Sequence, residues 1–524
     1  MRLWGCGFDQ MRWGKYGVGF VGSLRTNGEK EGIVDTVVSV SGGKVRGVVR
    51  EGVHAFLGIP YAAPAVGAAR FELPKPVREW AGVRDATTYG ATCPQAPYPD
   101  GIQALVTMNR VPGDEYLNVN VWTPDPSAGG LPVLVWIHGG GYSRGSNAGA
   151  VADGSAFARD GVVVVSMNYR VGMAGFAVLD GAPANRGLHD QIFALRWVQE
   201  NVAAFGGDPG KVTLGGLSAG GMSVAALLAT PLAQGLFRHA IIQNGTTVAA
   251  APMDDARKLS AAAAAKLGIE PSATAFGAQG EKELLDAQQA VALDQMIDPS
   301  AQRWGASFIT NGIGILSFFP VVDGDVLTDT PVKMLESQPD RALPLLCGYA
   351  AEEFRFFLMP TGVAPAVTAE TLPFFLSRYG MAPELADVFA ADRPSATPAD
   401  LLAAIFTDVA FRADIVRFAE VCAHAPTFVY EFAWPSGVAG LGACHALETS
   451  FIFDTLASGH AITGPNPPQP LADEMHRAWV DFVAHGDPGW ERFDADTRPV
   501  RVFDHPESKV VYDPRAEELR AARR

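Results

Sequence analysis

The stretch "KVTLGGLSAGGMSVAALLA", residues 211–229, changes character at its centre. Its opening "KVTL" is a short apolar, β-branched run typical of a buried strand, and its closing "MSVAALLA" is typical of a helix. Between them, Gly216, Ser218 and Gly220 fit the pattern G-x-S-x-G, a tight strand-to-helix turn that carries a nucleophilic serine. Glycine and serine are also common in ordinary turns. The predicted strand and helix on either side favour Ser218 as a nucleophile.

The sequence on both sides of this turn predicts an α/β fold. Fully apolar runs alternate with helical segments, as in "PVLVWIHGGG", "GVVVVSMNYR" and "HAIIQNG", and such runs are typical of a parallel sheet with helices on both faces. From about Val34, short β-rich runs between Gly/Pro turns predict antiparallel strands that precede the parallel ones. Residues 251–300 are Ala-rich and predict a helical insertion at the sheet edge or the mouth of the site. We therefore expect a mostly parallel central sheet with helical insertions around the site.

The chain carries no internal repeat or low-complexity linker, so we expect residues 34–524 to form a single domain. Residues 1–33 show no clear periodicity and are interpreted as an N-terminal extension. They contain "GVGFVG", in which Gly17, Gly19 and Gly22 spell G-x-G-x-x-G. A dinucleotide site requires a strand before this pattern and a helix after it, and neither is present here.

Charge and composition exclude several kinds of partner. The chain has 41 basic and 56 acidic residues and a formal net charge of −15, which repels nucleic acids and anionic membranes. No apolar run approaches the roughly 18–20 residues of a membrane span, and the N-terminus lacks the apolar core of a signal peptide. We expect a cytoplasmic protein without a metal or cofactor, because the cysteines are too widely spaced for a zinc site or a disulfide framework. These cysteines are Cys6, Cys93, Cys347, Cys422 and Cys444.

A glycine run upstream of the serine offers hydrogen-bond donors. In "VLVWIHGGGYSRGS", residues 133–146, an apolar strand ends in a histidine and three glycines. Only glycine lets the backbone approach a substrate closely enough to direct N–H groups at it. We expect the amides of Gly140 and Gly141, together with that of Ala219, to form an oxyanion hole.

A serine nucleophile of this type needs an acid and a histidine later in the chain, in that order. Seven histidines follow Ser218, and His445 stands out because it follows the apolar run "TFVYEFAW" and a Gly-rich loop. Adjacent acids, Glu352 and Glu353, follow the predicted strand "LPLLCG". Position alone does not choose between these two acids.

Together these motifs resemble the type-B carboxylesterase/lipase family of α/β hydrolases, which includes bacterial p-nitrobenzyl esterases and the cholinesterases. The resemblance covers about residues 37–503 and implies a serine esterase that forms an acyl-enzyme on Ser218 and hydrolyses small carboxylic esters. The stretches that carry it are "AFLGIPYAAPAVGAARF", "YLNVNVWTP", "PVLVWIHGGGYSRGS", "NYRVGMAGF", "NRGLHDQIFALRWVQENVAAFGGDPGKVTLGGLSAG", "PVVDGD", "LLCGYAAEEF", "CHALETSFIF" and "WVDFVAHGDP".

The resemblance also assigns the partners of the serine. In that family the acid is the glutamate of a G-x-x-x-[DE]-E pattern, which corresponds to Glu353. The base is the histidine of H-x-x-E, which corresponds to His445, and Glu448 becomes a supporting residue behind it. The implied triad is Ser218, His445 and Glu353.

Three positions depart from the family pattern. Leu217 replaces the glutamate that usually precedes the nucleophile. The common cysteine before "YLNV" is absent, with Tyr116 near its place, so Cys93 lacks the disulfide partner it has in relatives. Residues 94–115 contain Tyr98 but no tryptophan, which disfavours choline esters, since the cholinesterases bind the quaternary ammonium on a tryptophan there.

Other interpretations stay open at this point. The same triad could hydrolyse carbamates or amides, and some relatives keep the fold as non-catalytic binding proteins. In "GILSFFP", Phe318 and Phe319 fit either an apolar wall of the substrate pocket or ordinary core packing. The natural ester and the oligomeric state are not indicated by the sequence.

Overall fold

The structure, a computed structural model, describes residues 36–106 and 108–523. The expected extension of residues 1–33, with its G-x-G-x-x-G pattern, lies outside the described residues. The strands of the described residues are β1 (Thr36–Val40), β2 (Gly43–Arg50), β3 (Val53–Pro60), β4 (Val83–Asp85), β5 (Asn118–Thr123), β6 (Leu131–Ile137), β7 (Val163–Met167), β8 (Gly207–Leu217), β9 (His239–Gln243), β10 (Ala251–Pro252), β11 (Val321–Val322), β12 (Leu345–Ala350), β13 (Thr427–Phe432), β14 (Pro499–Phe503) and β15 (Lys509–Tyr512).

One large mixed sheet dominates the described residues. Its 13 strands follow the order β1-β2-β3-β5-β7-β6-β8-β9-β12-β13-β14-β15, with β4 paired to β2. Every neighbouring pair from β7 to β14 is parallel, whereas the pairs of this path on both flanks are antiparallel. The short strands β10 and β11 form a separate parallel pair. The prediction of a parallel centre with antiparallel strands before it is confirmed.

Helices cover both faces of this sheet. The α-helices of the described residues are α1 (Asp100–Gln103), α2 (Ser155–Arg159), α3 (Gly172–Phe176), α4 (Arg186–Asn201), α5 (Ala219–Ala229), α6 (Met253–Leu267), α7 (Ala273–Gly277), α8 (Glu281–Ile297), α9 (Ala301–Trp304), α10 (Ala306–Thr310), α11 (Pro331–Ser337), α12 (Arg355–Leu358), α13 (Leu372–Arg378), α14 (Leu385–Ala391), α15 (Pro398–Thr407), α16 (Ala413–Cys422), α17 (Thr449–Ile452), α18 (His460–Thr463), α19 (Gln469–His485) and α20 (Ala516–Ala522).

The side chains of β6 show why both faces are covered. Val133, Val135 and Ile137 are buried in one hydrophobic core, and the alternating Leu134 and Trp136 are buried in a second core. Successive side chains of a strand point to opposite faces, so an uninterrupted apolar run requires two cores. The apolar runs of the sequence therefore account for the layered architecture.

The region between β9 and β12 forms the expected helical insertion. Residues 251–300 hold α6, α7 and α8, as their Ala-rich pattern predicts. Phe318 and Phe319 are each 3% exposed and belong to the larger core, so the structure favours core packing over a pocket wall. No helix among the described residues combines the length and apolar character that crossing a membrane demands.

Candidate active site

Ser218 occupies the sharp turn between β8 and α5. Its backbone has φ 56° and ψ −122°, a conformation that residues with a side chain rarely adopt. The turn is held because the N–H of Ser218 donates to Gln243 O at 2.8 Å and its carbonyl accepts from the N–H of Met222 at 2.8 Å. Strain of this kind persists only where the surroundings enforce it, and it concentrates at functional sites.

Two glycines make room for this turn. A Cβ atom on Gly220 would lie 2.0 Å from the carbonyl oxygen of Ile137, and one on Gly216 would lie 2.5 Å from the carbonyl carbon of Gly220. Both distances are far inside van der Waals contact. The G-x-S-x-G pattern is therefore a steric requirement, because the start of α5 passes directly over the ends of β6 and β8.

The glycine loop after β6 lies against the serine. A Cβ atom on Gly139 would approach Ser218 Cβ to 3.1 Å. Gly140 and Gly141 have φ values of 116° and 60°, which favour glycine. Within the described residues, no acceptor pairs with the N–H groups of Gly140, Gly141 or Ala219. These three donors are available to a negatively charged oxygen.

Glu353 and His445 come together beyond the ends of β12 and β13. His445 Nδ1 lies 2.5 Å from Glu353 Oε2, and both side chains are buried. The N–H of His445 also donates to the carbonyl oxygen of Glu353 at 3.4 Å. The carboxyl ends of parallel strands share one edge of the sheet, so residues 92 positions apart meet there, beside the edge that carries Ser218. In the described residues no hydrogen bond links His445 to Ser218.

The other acid of the pair lies elsewhere. Glu352 Oε2 accepts from the N–H of Ala443 at 2.9 Å, and Glu352 lies 3.5 Å from Arg355 in a partly exposed ion pair. The structure thus places Glu353, and not Glu352, against the imidazole.

Asn244 is a site residue that sequence reasoning missed. Its Nδ2 group donates to Glu353 Oε1 at 2.7 Å, and the N–H of Ala350 donates to the same oxygen at 2.8 Å. Asn244 is fully buried and has φ 49°, directly after β9. Its position at the end of a central strand is the signal that could have identified it.

Glu448 is a buried carboxyl group behind this pair. It is fully buried, and neither oxygen has a partner with full hydrogen-bond geometry, although Gln243, Asn244 and Tyr430 lie beside it. Burial, followed by the charge of Glu353, raises the pKa of Glu448 to about 8. Glu448 therefore holds its proton at neutral pH, which avoids two adjacent buried negative charges.

Three phenylalanines surround the imidazole of His445. The ring centroids of Phe357, Phe411 and Phe356 lie 5.0, 5.4 and 5.9 Å from that of His445. We refer to these three residues as the aromatic wall. At the oxyanion side, Leu316 lies 3.7 Å from where a Cβ atom on Gly141 would be. Both sides of the site are therefore apolar, and we expect them to exclude water from the imidazole.

Phe411 reaches His445 from a short π-helix, Asp408–Arg412, between α15 and α16. Single-turn π-helices add one residue to a helix and are frequent at functional sites. Asp408 and Arg412 form a buried ion pair at 2.6 Å.

The C-terminal helix holds this π-helix in place. Arg412 Nη2 donates to the carbonyl oxygens of Pro514 and Arg515 at 2.8 Å each, and Arg412 lies 3.9 Å from Glu518. Glu518 is 1% exposed and also accepts from Arg393 at 3.0 Å. The position of Phe411 in the aromatic wall therefore depends on residues more than 100 positions later in the chain than Arg412.

The structure also gives the positions of the three residues that depart from the family pattern or lie beside such a departure. Leu217 is partly buried at the end of β8, and Cys93 is a buried free thiol whose pKa burial raises to about 12. Tyr116 lies near Cys93 and donates its hydroxyl to Ala65 O. Within residues 36–106 and 108–523, no three His, Cys, Asp or Glu side chains group in a way that could hold a metal ion.

Comparisons with known proteins extend along nearly the whole chain. The sequence profile of the carboxylesterase family matches residues 34–519. Over 501 residues the chain is 35% identical to the para-nitrobenzyl esterase of Bacillus subtilis (strain 168), covering 92% of this chain and 97% of the relative. Over 510 residues it is 33% identical to the phenmedipham hydrolase of Pseudarthrobacter oxydans, covering 92% of this chain and 97% of that protein.

The fold agrees with these matches. The crystal structure of a Geobacillus stearothermophilus carboxylesterase superposes on the chain with a TM-score of 0.80 at 32% identity, covering 93% of this chain and 99% of that one. The large mixed sheet with helices on both faces is accordingly an α/β-hydrolase fold. Agreement in sequence and in fold over this length makes the chain a member of the carboxylesterase family and a carboxylic ester hydrolase.

Proposed function

We propose that the protein hydrolyses carboxylic esters through an acyl-enzyme on Ser218, with a triad of Ser218, His445 and Glu353. The observation that carries the proposal is the 2.5 Å contact between His445 Nδ1 and Glu353 Oε2 at the sheet edge where the strained Ser218 turn lies. A serine hydroxyl is a weak nucleophile until an adjacent base accepts its proton, and a histidine oriented by a carboxylate is such a base.

The first half-reaction forms the acyl-enzyme. His445 Nε2 takes the proton of Ser218 Oγ as the oxygen attacks the ester carbonyl, and the same proton then passes to the departing alcohol. In the second half-reaction water attacks the acyl-enzyme by the same route and releases the acid. The hydrogen bond between Ser218 Oγ and His445 Nε2 forms in this mechanism when substrate binds, since such bonds tighten in the complex with substrate.

The N–H groups of Gly140, Gly141 and Ala219 stabilise the oxyanion in this proposal. Positive φ values at the two loop glycines and the start of α5 leave these donors without other acceptors. Removing one such donor typically costs about 3–4 kcal/mol of transition-state stabilisation. A three-donor site would therefore supply a large part of the rate enhancement.

Glu353 has a positioning role in this mechanism. It accepts the Nδ1 hydrogen of His445, which leaves Nε2 free to receive the proton of the serine. Asn244 and the N–H of Ala350 hold the second carboxylate oxygen, so the carboxylate plane is fixed from both sides.

We further propose that residues 34–524 fold as one domain, which is supported by the compact unit that begins at Asp35.

The decisive experiment compares wild type, Ser218→Ala and Ser260→Ala on p-nitrophenyl acetate and butyrate, with active-site titration by an organophosphate. Ser260 is a buried serine on α6 whose hydroxyl donates to Ala256 O, so it controls for the loss of a buried hydroxyl. We expect one labelled serine per wild-type and Ser260→Ala chain and no turnover by Ser218→Ala. Equal turnover by all three proteins would overturn the assignment of Ser218.

The same triad can also cleave amides or carbamates, and a matched pair of substrates separates these activities. Turnover of an aryl ester and of the corresponding aryl amide is measured on the same preparation. A higher kcat/KM for the amide would replace the esterase assignment. Labelling of no serine, with no turnover of either substrate, would favour the non-catalytic binding protein instead.

A further inference from the structure

An arginine follows the glycine loop without an acidic partner. The guanidinium of Arg144 lies over the ring of Tyr98, 5.1 Å from its centroid. Its Nε group donates to the carbonyl oxygens of Ala96 and Pro97 at 3.2 and 3.1 Å, and Nη1 donates to Ser143 Oγ at 3.1 Å. Guanidinium has five N–H donors, so Nη2 and one Nη1 hydrogen remain without an acceptor in the described residues.

The contacts of the Arg144 guanidinium with described residues are to carbonyl oxygens, a hydroxyl and a ring, and none is to a carboxylate. Arg144 is partly buried, and this burial lowers the pKa of its guanidinium; Tyr98 opposes the shift and Arg110 adds to it. Taking a cation out of water without a counter-ion is unfavourable. The position therefore has an unsatisfied preference for a negative charge.

Two fully buried arginines of the same chain show how such a cation is otherwise satisfied. Arg170 is paired with Asp190 at 2.6 Å. Arg186 has no carboxylate partner, but four of its donor contacts end on main-chain carbonyl oxygens. Arg144 has neither arrangement. Its contacts with the protein satisfy only some of the N–H donors of its guanidinium.

A second unpaired arginine lies close by. Arg110 is exposed and makes no hydrogen bond or ion pair within the described residues. The neighbouring Asn109 donates its Nδ2 to Ala148 O at 2.8 Å, which fixes this segment against the turn that follows Arg144. Arg110 is close enough to Arg144 to act on its charge electrostatically.

The backbone of Arg144 lies close to the reacting centre. The N–H of Arg144 donates to Gly140 O at 3.0 Å, so its side chain starts one turn from the proposed oxyanion hole. The adjacent Gly139 is in contact with Ser218. An arginine side chain spans roughly 7 Å by standard bond lengths, which is the size of a small acyl or alcohol group.

We propose that Arg144 and Arg110 bind a carboxylate on the substrate, so that the preferred esters carry a negative charge within a few bonds of the scissile ester. This inference rests on the proposed function of Ser218. Guanidinium groups bind carboxylates through paired N–H donors, which gives both affinity and orientation. The net charge of −15 offers an anionic substrate no general attraction, so its recognition has to come from local cations such as these.

The test uses two matched pairs of esters. In the first pair, 4-nitrophenyl hydrogen glutarate and its methyl ester, the carboxylate lies in the acyl half. In the second pair, 4-acetoxyphenylacetate and its methyl ester, it lies in the alcohol half, and a methylene insulates the leaving group from the charge. Release of the phenol is measured as kcat/KM, after subtraction of the rate without enzyme, for wild type, Arg144→Gln, Arg144→Lys, Arg110→Gln and Arg196→Gln. Arg196 is an exposed arginine of α4 and serves as the matched control.

We expect wild type to prefer the charged member of at least one pair by about tenfold or more, the range of a hydrogen bond to a charged group. Arg144→Gln and Arg110→Gln each lower that charged-to-neutral ratio, Arg144→Lys lowers it less than Arg144→Gln, and Arg196→Gln leaves it unchanged. A rise in KM for the charged ester at constant unfolding temperature distinguishes lost recognition from damage to the loop. Arg110 is exposed, so its variant tests the proposal even if Arg144→Gln fails to fold.

Two results would overturn the proposal. One is a wild-type ratio of one or less in both pairs, and the other is a ratio that neither Gln variant changes. Turnover of the neutral esters without a charge preference would overturn this inference alone. No turnover of any of the four esters would overturn the proposed function together with it.

Discussion

Asn244 donates a 2.7 Å hydrogen bond to the oxygen of Glu353 that His445 does not use. The carboxylate is thereby held at both ends, by an imidazole on one oxygen and by an amide on the other. Three buried residues, each in the segment that follows β9, β12 or β13, thus form one connected network. The orientation of His445 depends on this network as much as on the carboxylate itself.

Replacing Asn244 tests this dependence. We expect Asn244→Ala to lower kcat about 10–100-fold, because hydrogen bonds to charged groups contribute about 1.5–3 kcal/mol. Asn466→Ala is the matched control, since Asn466 also has a positive φ but is exposed. Steady-state kinetics on p-nitrophenyl acetate provide the measurement. Wild-type kcat in Asn244→Ala would show that the second oxygen of Glu353 needs no support.

Adding one methyl group at the nucleophile turn should disable it. In Gly220→Ala the new Cβ atom would lie 2.0 Å from Ile137 O, so α5 has to move away from β6. We expect a loss of at least about 2 kcal/mol in the free energy of unfolding and a loss of kcat. Gly129→Ala controls for the loss of a glycine, since no atom lies within 4 Å of its Cβ position. Urea denaturation and turnover are measured together, and near-wild-type values for both would contradict the steric argument.

Stability should depend on pH through Glu448. Its pKa is about 8 in the folded protein, against an ordinary value of 4.5. Between these values the folded state holds a proton that the unfolded state has released, so the free energy of unfolding falls as pH rises through this window.

Glu448→Gln removes the titrating group and is expected to flatten this dependence. The wild-type stability should decline relative to the variant by up to about 1.4 kcal/mol per pH unit between roughly pH 5 and pH 8. Urea denaturation at several pH values measures the difference, with the exposed Glu507→Gln as control. Parallel curves for wild type and Glu448→Gln would refute a protonated Glu448.

The buried ion pairs under the aromatic wall give a fourth prediction. Glu518→Gln removes the carboxylate that Arg393 and Arg412 share; because Arg412 keeps its ion pair with Asp408, we expect a loss of about 1.5–3 kcal/mol, the range of hydrogen bonds to charged groups. Because Arg412 anchors the π-helix that carries Phe411, we also expect a change in KM for aromatic esters. The exposed neighbour Glu517 provides the control Glu517→Gln. Equal stability of the two variants would contradict a stabilising role of Glu518.

The sequence predicted the fold, and it proposed the residues of the candidate site, because these signals were local. A glycine pattern between a strand and a helix identified Ser218, and long apolar runs identified the parallel strands. The choice between Glu352 and Glu353 needed the family resemblance, since the two acids are one position apart and both follow the same predicted strand. In the structure only Glu353 reaches His445.

The features that were missed depend on distant contacts. Asn244 belongs to no recognised motif, and its role arises from a residue 109 positions later. Phe411 is brought to His445 by one extra residue in a helix, which hydrophobic periodicity does not reveal. Phe318 and Phe319 were ambiguous because a pocket wall and a core are made of the same side chains.

Arg412 connects the segment around α20 to the π-helix that carries Phe411. This connection bears on whether the protein loses activity or secondary structure first on heating. Short helices at the edge of a domain open at lower free energy than a central sheet, and Pro514 and Arg515, just before the short helix α20, accept hydrogen bonds from Arg412. Opening of this segment would displace Phe411 while the 13 strands stay paired. We therefore expect turnover to be lost at a lower temperature than secondary structure, which residual activity and circular dichroism measured on the same heated samples would show.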